Sequence, residues 1–253
     1  MNGFGQGVKY LRQGFTLITE PKLRLFVIIP LLINIVLFVV GVYLAGHWFA
    51  QLMNYFMGWL PSWEWLGFLR AIFWVLYAII VLLVFTYTFV VFANLIGSPF
   101  YSYLAELTQR QLTGVALEDM ESPWGSILKS IPRSVYREFR KIAYYLPRAL
   151  GLLILGFIPV INIFAGVAWF LFSAWMMNLQ YLDYPAENNR TGFDELRKQT
   201  SLKRSSAFGF GGVVYLASLI PVINLFVMPA AVCGATAKWV EEFSSKKKAP
   251  TKS

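Results

Sequence analysis

The chain has 253 residues, carries a formal net charge of +9, and is 57% apolar and 17% aromatic with a mean hydropathy of +0.57. That balance excludes a disordered or collagen-like chain. Four windows, residues 25–63, 71–105, 149–182 and 205–237, contain no Asp, Glu, Lys or Arg, and charge-free runs of that length exclude a soluble enzyme and name lipid as the solvent. The positive balance therefore reads as cytoplasmic loops facing anionic headgroups, not as a nucleic-acid footprint. One cysteine, Cys233, and one histidine, His47, leave no intrachain disulfide, no thiolate cluster and no His-pair metal site.

The chain opens on Gly3, Gly5 and Gly7. No strand precedes this run, so it is expected to be a flexible terminus and not a nucleotide fingerprint. Residues 8–18 follow as a short interfacial helix. Thr19-Glu20-Pro21-Lys22-Leu23-Arg24 then enters the first window. Thr19 or Glu20 can cap, and Pro21 suits the first helical position, where its missing N–H costs nothing. Free amides at that helix start beside Lys22 and Arg24 make an anion site, and a guanidinium fork suits a tetrahedral oxyanion. The plainer alternative is that both cations serve the positive-inside rule and touch lipid phosphate.

Windows one and two are expected to cross the membrane outward and back. Their link, about 48–70, carries Trp48, Trp59, Trp63 and Trp65 as an aromatic belt, with His47 beside it, and only one of the 22 basic residues, Arg70, lies there. Asn34 and Asn94 are polar residues inside these spans. Glu106 and Arg110 follow at i, i+4 spacing on one helical face. Asn34 and Asn94 can line a pore, because a neutral amide can replace water around an anion without holding it too tightly. Interhelical hydrogen bonding is the alternative for each Asn.

Residues 106–148 read as cytoplasmic helices. Ser122-Pro123 is a helix start, and Arg133, Arg137 and Lys141 fall at i, i+4, i+8 as a basic stripe. The stripe suits anionic headgroups or an electrostatic funnel at an inner mouth.

Windows three and four contain Ile158-Pro159-Val160-Ile161-Asn162-Ile163-Phe164 and Ile220-Pro221-Val222-Ile223-Asn224-Leu225-Phe226, six of seven positions identical. Pro159 and Pro221 break a helix, and Asn162 and Asn224 can bond the freed backbone. The arms of window four reach about 20 Å, short of a hydrocarbon core of about 30 Å. Re-entrant hairpins fit, and they keep residues 106–148, 183–204 and 238–253 on the basic, cytoplasmic side. In window three the arm 163–182 is long enough to span, and two proline-kinked spans remain the alternative. Hairpin tips must be covered by protein or line a wet cavity, which points to a homo-oligomer. Cys233 reads as a small packing residue, and Lys246, Lys247 and Lys248 as a flexible end.

The expectation is a single all-α integral membrane domain, 1–253. It divides into an N-terminal helix (1–24), two transmembrane helices (25–105), cytoplasmic helices (106–148), hairpin one (149–182), a cytoplasmic link (183–204), hairpin two (205–237) and a basic tail (238–253). No catalytic pair, cofactor motif or metal shell is visible.

The chain resembles the CysZ family of bacterial sulfate permeases. The resemblance rests on 21–34 (PKLRLFVIIPLLIN), Ala93-Asn94 with Pro99-Phe100 and Ala105-Glu106, Tyr145-Leu146-Pro147-Arg148-Ala149, 170–176 (FLFSAWM), Gln180-Tyr181 with Asp183-Tyr184-Pro185, and Met228-Pro229 with 232–236 (VCGAT) and Trp239. It implies a multi-pass protein of the bacterial inner membrane, a dimer or hexamer, that admits sulfate for cysteine synthesis in a proton-dependent or channel-like manner. It also implies two long spanning helices, two intramembrane hairpins, and a sulfate site in a Pro-Gly-Leu-Arg-Arg-like segment at the start of the first long helix. Carried over, Leu23 supplies backbone and Arg24 the guanidinium, and Asn34, Asn94, Glu106 and Arg110 are pore-lining candidates. Lys22 stands where glycine is usual, and Leu25 replaces the second arginine. The competing function is a non-transporting membrane scaffold whose basic face binds lipid.

Overall fold

The structure, a computed structural model, describes residues 3–58, 67–114, 123–160 and 162–244. They form helices α1 (Gly3–Ile18), α2 (Pro21–Gly58), α3 (Gly67–Thr113), α4 (Pro123–Gly156), α5 (Asn162–Asn188), α6 (Phe193–Ser201), α7 (Arg204–Ser218) and α8 (Pro221–Trp239), closed by a π-helical turn at Val240–Ser244. No strand occurs among the described residues, so the all-α expectation holds. Trp59, Trp63 and Trp65 of the aromatic belt, Ser122, and Lys246, Lys247 and Lys248 of the tail lie outside the described residues.

Among the described residues three segments are long and apolar enough to cross a membrane: Pro21–Trp48, Trp74–Thr113 and Asn162–Asn188. The first two are the crossings expected from windows one and two. The third, α5, is the arm whose length left both a span and a hairpin open. Its two halves differ in environment. Ile163, Phe164 and Val167 are exposed, whereas Asn178, Leu179 and every residue from Tyr181 to Glu187 are buried in protein.

The chain forms two compact units, residues 29–97 and residues 1–28 with 98–253. In the first, α2 and α3 keep their apolar side chains outward; Val36, Val39, Val75 and Val84 are each 60% exposed. Such surface has a favourable solvent only in acyl chains. Phe38 and Phe89 meet edge to face at 5.5 Å, and a Cβ on Gly41 would lie 3.0 Å from the Phe85 ring, so glycine permits that approach. Pro30 and Pro99 each remove a backbone donor from their helix, and each lies within two residues of a point where the chain passes between units.

The other unit is built on α1, α5, α7 and α8, whose Leu179, Leu182, Phe210, Val214, Val227 and Ala231 are fully buried. The glycine-rich start, expected to be a flexible terminus, is helical from Gly3 and packed. Its i, i+4 spacing puts Gly3 and Gly7 on one face, and a Cβ on Gly7 would come 2.2 Å from the Gly209 carbonyl oxygen. At Gly14 it would come 1.9 Å from that of Ala230. Small residues thus let α1 lie directly on the backbones of α7 and α8, and residues 8–18 bury Tyr10, Leu11, Leu17 and Ile18 there.

The two repeated heptads make the same closing bond. The Asn162 amide donates to Ile158 O at 2.9 Å, and the Asn224 amide to Ile220 O at 2.8 Å. The helix restarts differently: α8 begins at Pro221, whereas Pro159 lies in the turn before α5. Window four buries its base and exposes Leu216, Leu219, Ile220, Ile223 and Phe226 around its tip. Around the first tip Phe157, Val160, Ile163 and Phe164 are exposed. The arm before it is longer than window three suggested, because α4 runs unbroken from Pro123 to Gly156.

Candidate functional site

α2 starts at Pro21, as the sequence requires. The Thr19 hydroxyl donates backward to Thr16 O at 2.7 Å, so it closes α1 and does not cap α2. The Glu20 carbonyl instead accepts from the amides of both Leu23 and Arg24 at 3.0 Å. Pro21 has no N–H, so Lys22 carries the one first-turn amide here without an acceptor among the described residues. Leu23 is 1% exposed and anchors this turn in the core, with Val27 one turn on. Lys22 and Arg24 point to solvent and hold no ion pair among the described residues. The helix start therefore combines a free amide, the positive end of the helix dipole and two uncompensated cations. The Leu23 amide, expected to supply backbone to an anion, is already engaged by the Glu20 carbonyl, which leaves Arg24, Lys22 and the Lys22 amide as the donors not engaged among the described residues.

The other residues singled out in the sequence occupy different places. Asn34 is half-buried, and its Oδ1 is buried without a hydrogen-bond partner among the described residues. Asn94 is half-buried as well. Glu106 and Arg110 share the α3 face their spacing dictates, both half-buried, yet neither holds an ion pair among the described residues. Pro159 and Asn162 are exposed at the first tip, and Asn224 is half-buried near the second, beside Pro221.

The basic stripe of α4 is where the structure departs most from the sequence. Arg137 holds Asp183 of α5 through Nη2 and through Nε, the latter at 3.2 Å, and donates to Thr191 O at 2.9 Å. Lys141 lies 2.5 Å from Glu138 and 3.5 Å from Asp183, and Ser98 donates to Glu138 at 3.2 Å. Glu187 stands 3.9 Å from Arg133 and 4.0 Å from Arg137. Three cations thus meet three carboxylates, and Glu138, Lys141, Asp183 and Glu187 are all buried. Of the stripe only Arg133 is exposed. Neither a headgroup-facing stripe nor a funnel describes Arg137 and Lys141, because the acids of α5 neutralise them inside the protein. Those acids lie 42 or more positions later in the chain, beyond what a one-helix pattern can reveal.

Lys238 was also out of reach of pattern reading. The sequence places it at the start of the basic tail, but it closes the last turn of α8, 1% exposed. Its Nζ donates to Asn178 Oδ1 at 2.6 Å and Ser206 O at 3.1 Å and lies over the Phe210 ring. None of these partners is a carboxylate, and burial lowers its pKa to about 7.

Known proteins resemble the chain over nearly its whole length. The family described as sulfate transporter CysZ/etoposide-induced protein 2.4 matches residues 10–229. Sulfate transporter CysZ of Pseudomonas syringae pv. tomato is 49% identical over 236 residues, covering 93% of this chain and 92% of its own. The protein of the same description from Pseudomonas fluorescens Pf0-1 is 48% identical over 237 residues, 93% of each chain. That of Salmonella typhimurium LT2 is 44% identical over 246 residues, 95% of this chain and 94% of its own.

Proposed function

The chain belongs to the family of sulfate transporter CysZ and etoposide-induced protein 2.4, and from that premise we propose that it admits sulfate across the bacterial inner membrane for cysteine biosynthesis. The observation that carries the assignment of a site is the start of α2, where, among the described residues, Lys22 and Arg24 stand unpaired beside an unengaged amide. Sulfate is a tetrahedral dianion, and a fork of N–H donors with a second cation matches its oxygens. The exposure of both side chains keeps the ion partly hydrated, so it is captured without being trapped, as permeation requires.

Asn34, Asn94, Glu106 and Arg110 are the pore-lining candidates. Asn34 brings an acceptor with no partner of its own, which a water accompanying the ion can satisfy. α2 and α3 cross the bilayer, and the two hairpins enter it only by their tips, where exposed Phe157, Val160, Leu219 and Ile220 meet acyl chains. Backbone at those tips is tolerated where protein or water covers it, and a homo-oligomer, dimer or hexamer, supplies such cover.

The test is uptake of radiolabelled sulfate by cells that lack their own sulfate import. Expression of this chain restores uptake, and Arg24→Ala reduces it. Absence of uptake with the protein present in the membrane contradicts the proposal.

A further inference from the structure

A cavity of about 510 Å³ lies between α4, α5 and α6, walled by Tyr144, Trp175, Asp194, Arg197, Lys198 and Ser201. It shares no residue with the start of α2. The Tyr144 ring carries two cations, with the Arg148 guanidinium 3.7 Å and the Arg197 guanidinium 4.3 Å from its centroid. Trp175 Nε1 donates to the Tyr144 hydroxyl at 3.3 Å and fixes the ring's position.

The charges around the cavity do not balance. Its one carboxylate, Asp194, is shared between Arg140 at 2.5 Å and Arg197 at 3.2 Å. Arg148 donates only to Tyr144 O of its own helix, and neither Arg148 nor Lys198 holds an ion pair among the described residues. The other acid of α6, Glu195, accepts from Gln199 on the same helix and is not part of the wall. Arg140, Arg148, Arg197 and Lys198 therefore gather around a single carboxylate among the described residues.

The surroundings specify which anion. Immediately beyond Tyr144 on α4, Tyr145, Leu146, Leu150 and Leu153 are exposed at helical spacing. Tyr145 alone of these four carries a polar group, and the three leucines suit acyl chains. A Tyr–Trp pair with arginines at the edge of an apolar face is the arrangement found at headgroup level. We infer that this cavity binds the phosphate headgroup of an anionic phospholipid, with Arg148, Arg197 and Lys198 on the phosphate and the acyl chains along α4. The positive-inside topology places the site in the cytoplasmic leaflet, where anionic lipid meets basic side chains.

Native mass spectrometry of the purified full-length protein tests this. The probes are phosphatidylglycerol, phosphatidylcholine and inorganic phosphate, each titrated separately. Phosphatidylglycerol adducts are expected to exceed phosphatidylcholine adducts about tenfold. Arg148→Gln with Lys198→Gln should remove that preference, and Lys198→Gln alone, at an exposed position, should weaken it several-fold in a protein that still folds. Equal retention of both lipids, or an unchanged preference in the folded single variant, overturns the inference. So does inorganic phosphate binding as tightly as phosphatidylglycerol, which would make the cavity a free-ion site.

Discussion

Replacing Arg24 with alanine removes the one guanidinium at the start of α2. Arg24 is exposed and unpaired, so its loss strands no buried carboxylate and leaves the fold's stability unchanged. What disappears is its charged hydrogen bonding to the anion, worth about 1.5–3 kcal/mol. Solvent screening at an exposed position puts the expectation at the lower end. That corresponds to roughly a tenfold rise in sulfate Kd, at about 1.4 kcal/mol per decade. Isothermal titration of sulfate into detergent-purified protein measures it, with the melting temperature as the control for folding. Arg24→Lys should fall between wild type and alanine, because it keeps the charge and loses the fork. An unchanged Kd for Arg24→Ala, with an unchanged melting temperature, refutes the assignment and returns Lys22 and Arg24 to a role at the lipid surface.

The buried charges and the close helix contacts give further expectations. Asp183→Ala takes from Arg137 its close carboxylate, leaving it Glu187 at 4.0 Å, while Lys141 keeps Glu138; breaking a buried pair costs about 3–5 kcal/mol, and a loss below about 1 kcal/mol in denaturation would show that the network is not held as described. Gly14→Ala forces a Cβ onto the Ala230 carbonyl and should lower stability by about 1–3 kcal/mol, whereas Gly151→Ala in α4, with open space around it, should be neutral or stabilising by up to about 1 kcal/mol. Lys238 titrates near 7 in the fold and near 10.4 in an unfolded chain. Between those values the unfolded chain holds more protons, so stability rises as pH rises from about 7 to about 10. Lys238→Met should flatten that rise in thermal melts across the same range, and an identical profile would contradict the effect of burial.

What was legible in the sequence is what local chemistry encodes. Charge-free windows of more than 30 residues point to lipid as the solvent, and Pro21 suits the first position of a helix, where α2 begins. The Ile-Pro-Val-Ile-Asn repeat announced two breaks, and both close with the same Asn amide bond. Lys22 and Arg24 were readable as cations beside a helix start because Pro21 marks that start in the sequence itself. The partners of the α4 stripe were not readable. Arg137 looked free because Asp183 reaches it only when α4 and α5 fold against each other. The role of Gly7 was hidden for the same reason, since its meaning depends on Gly209 some two hundred positions away. Lys238 was read as tail because its three neighbours, Asn178, Ser206 and Phe210, come from two other helices.

Flux of radiolabelled sulfate into proteoliposomes holding only this protein tests the central claim most directly, measured with and without an imposed pH gradient. The account predicts sulfate entry above that of empty vesicles, lowered in Arg24→Ala, with the gradient's effect separating proton-dependent from channel-like passage. Entry no faster than into empty vesicles, with folded protein in the bilayer, contradicts it.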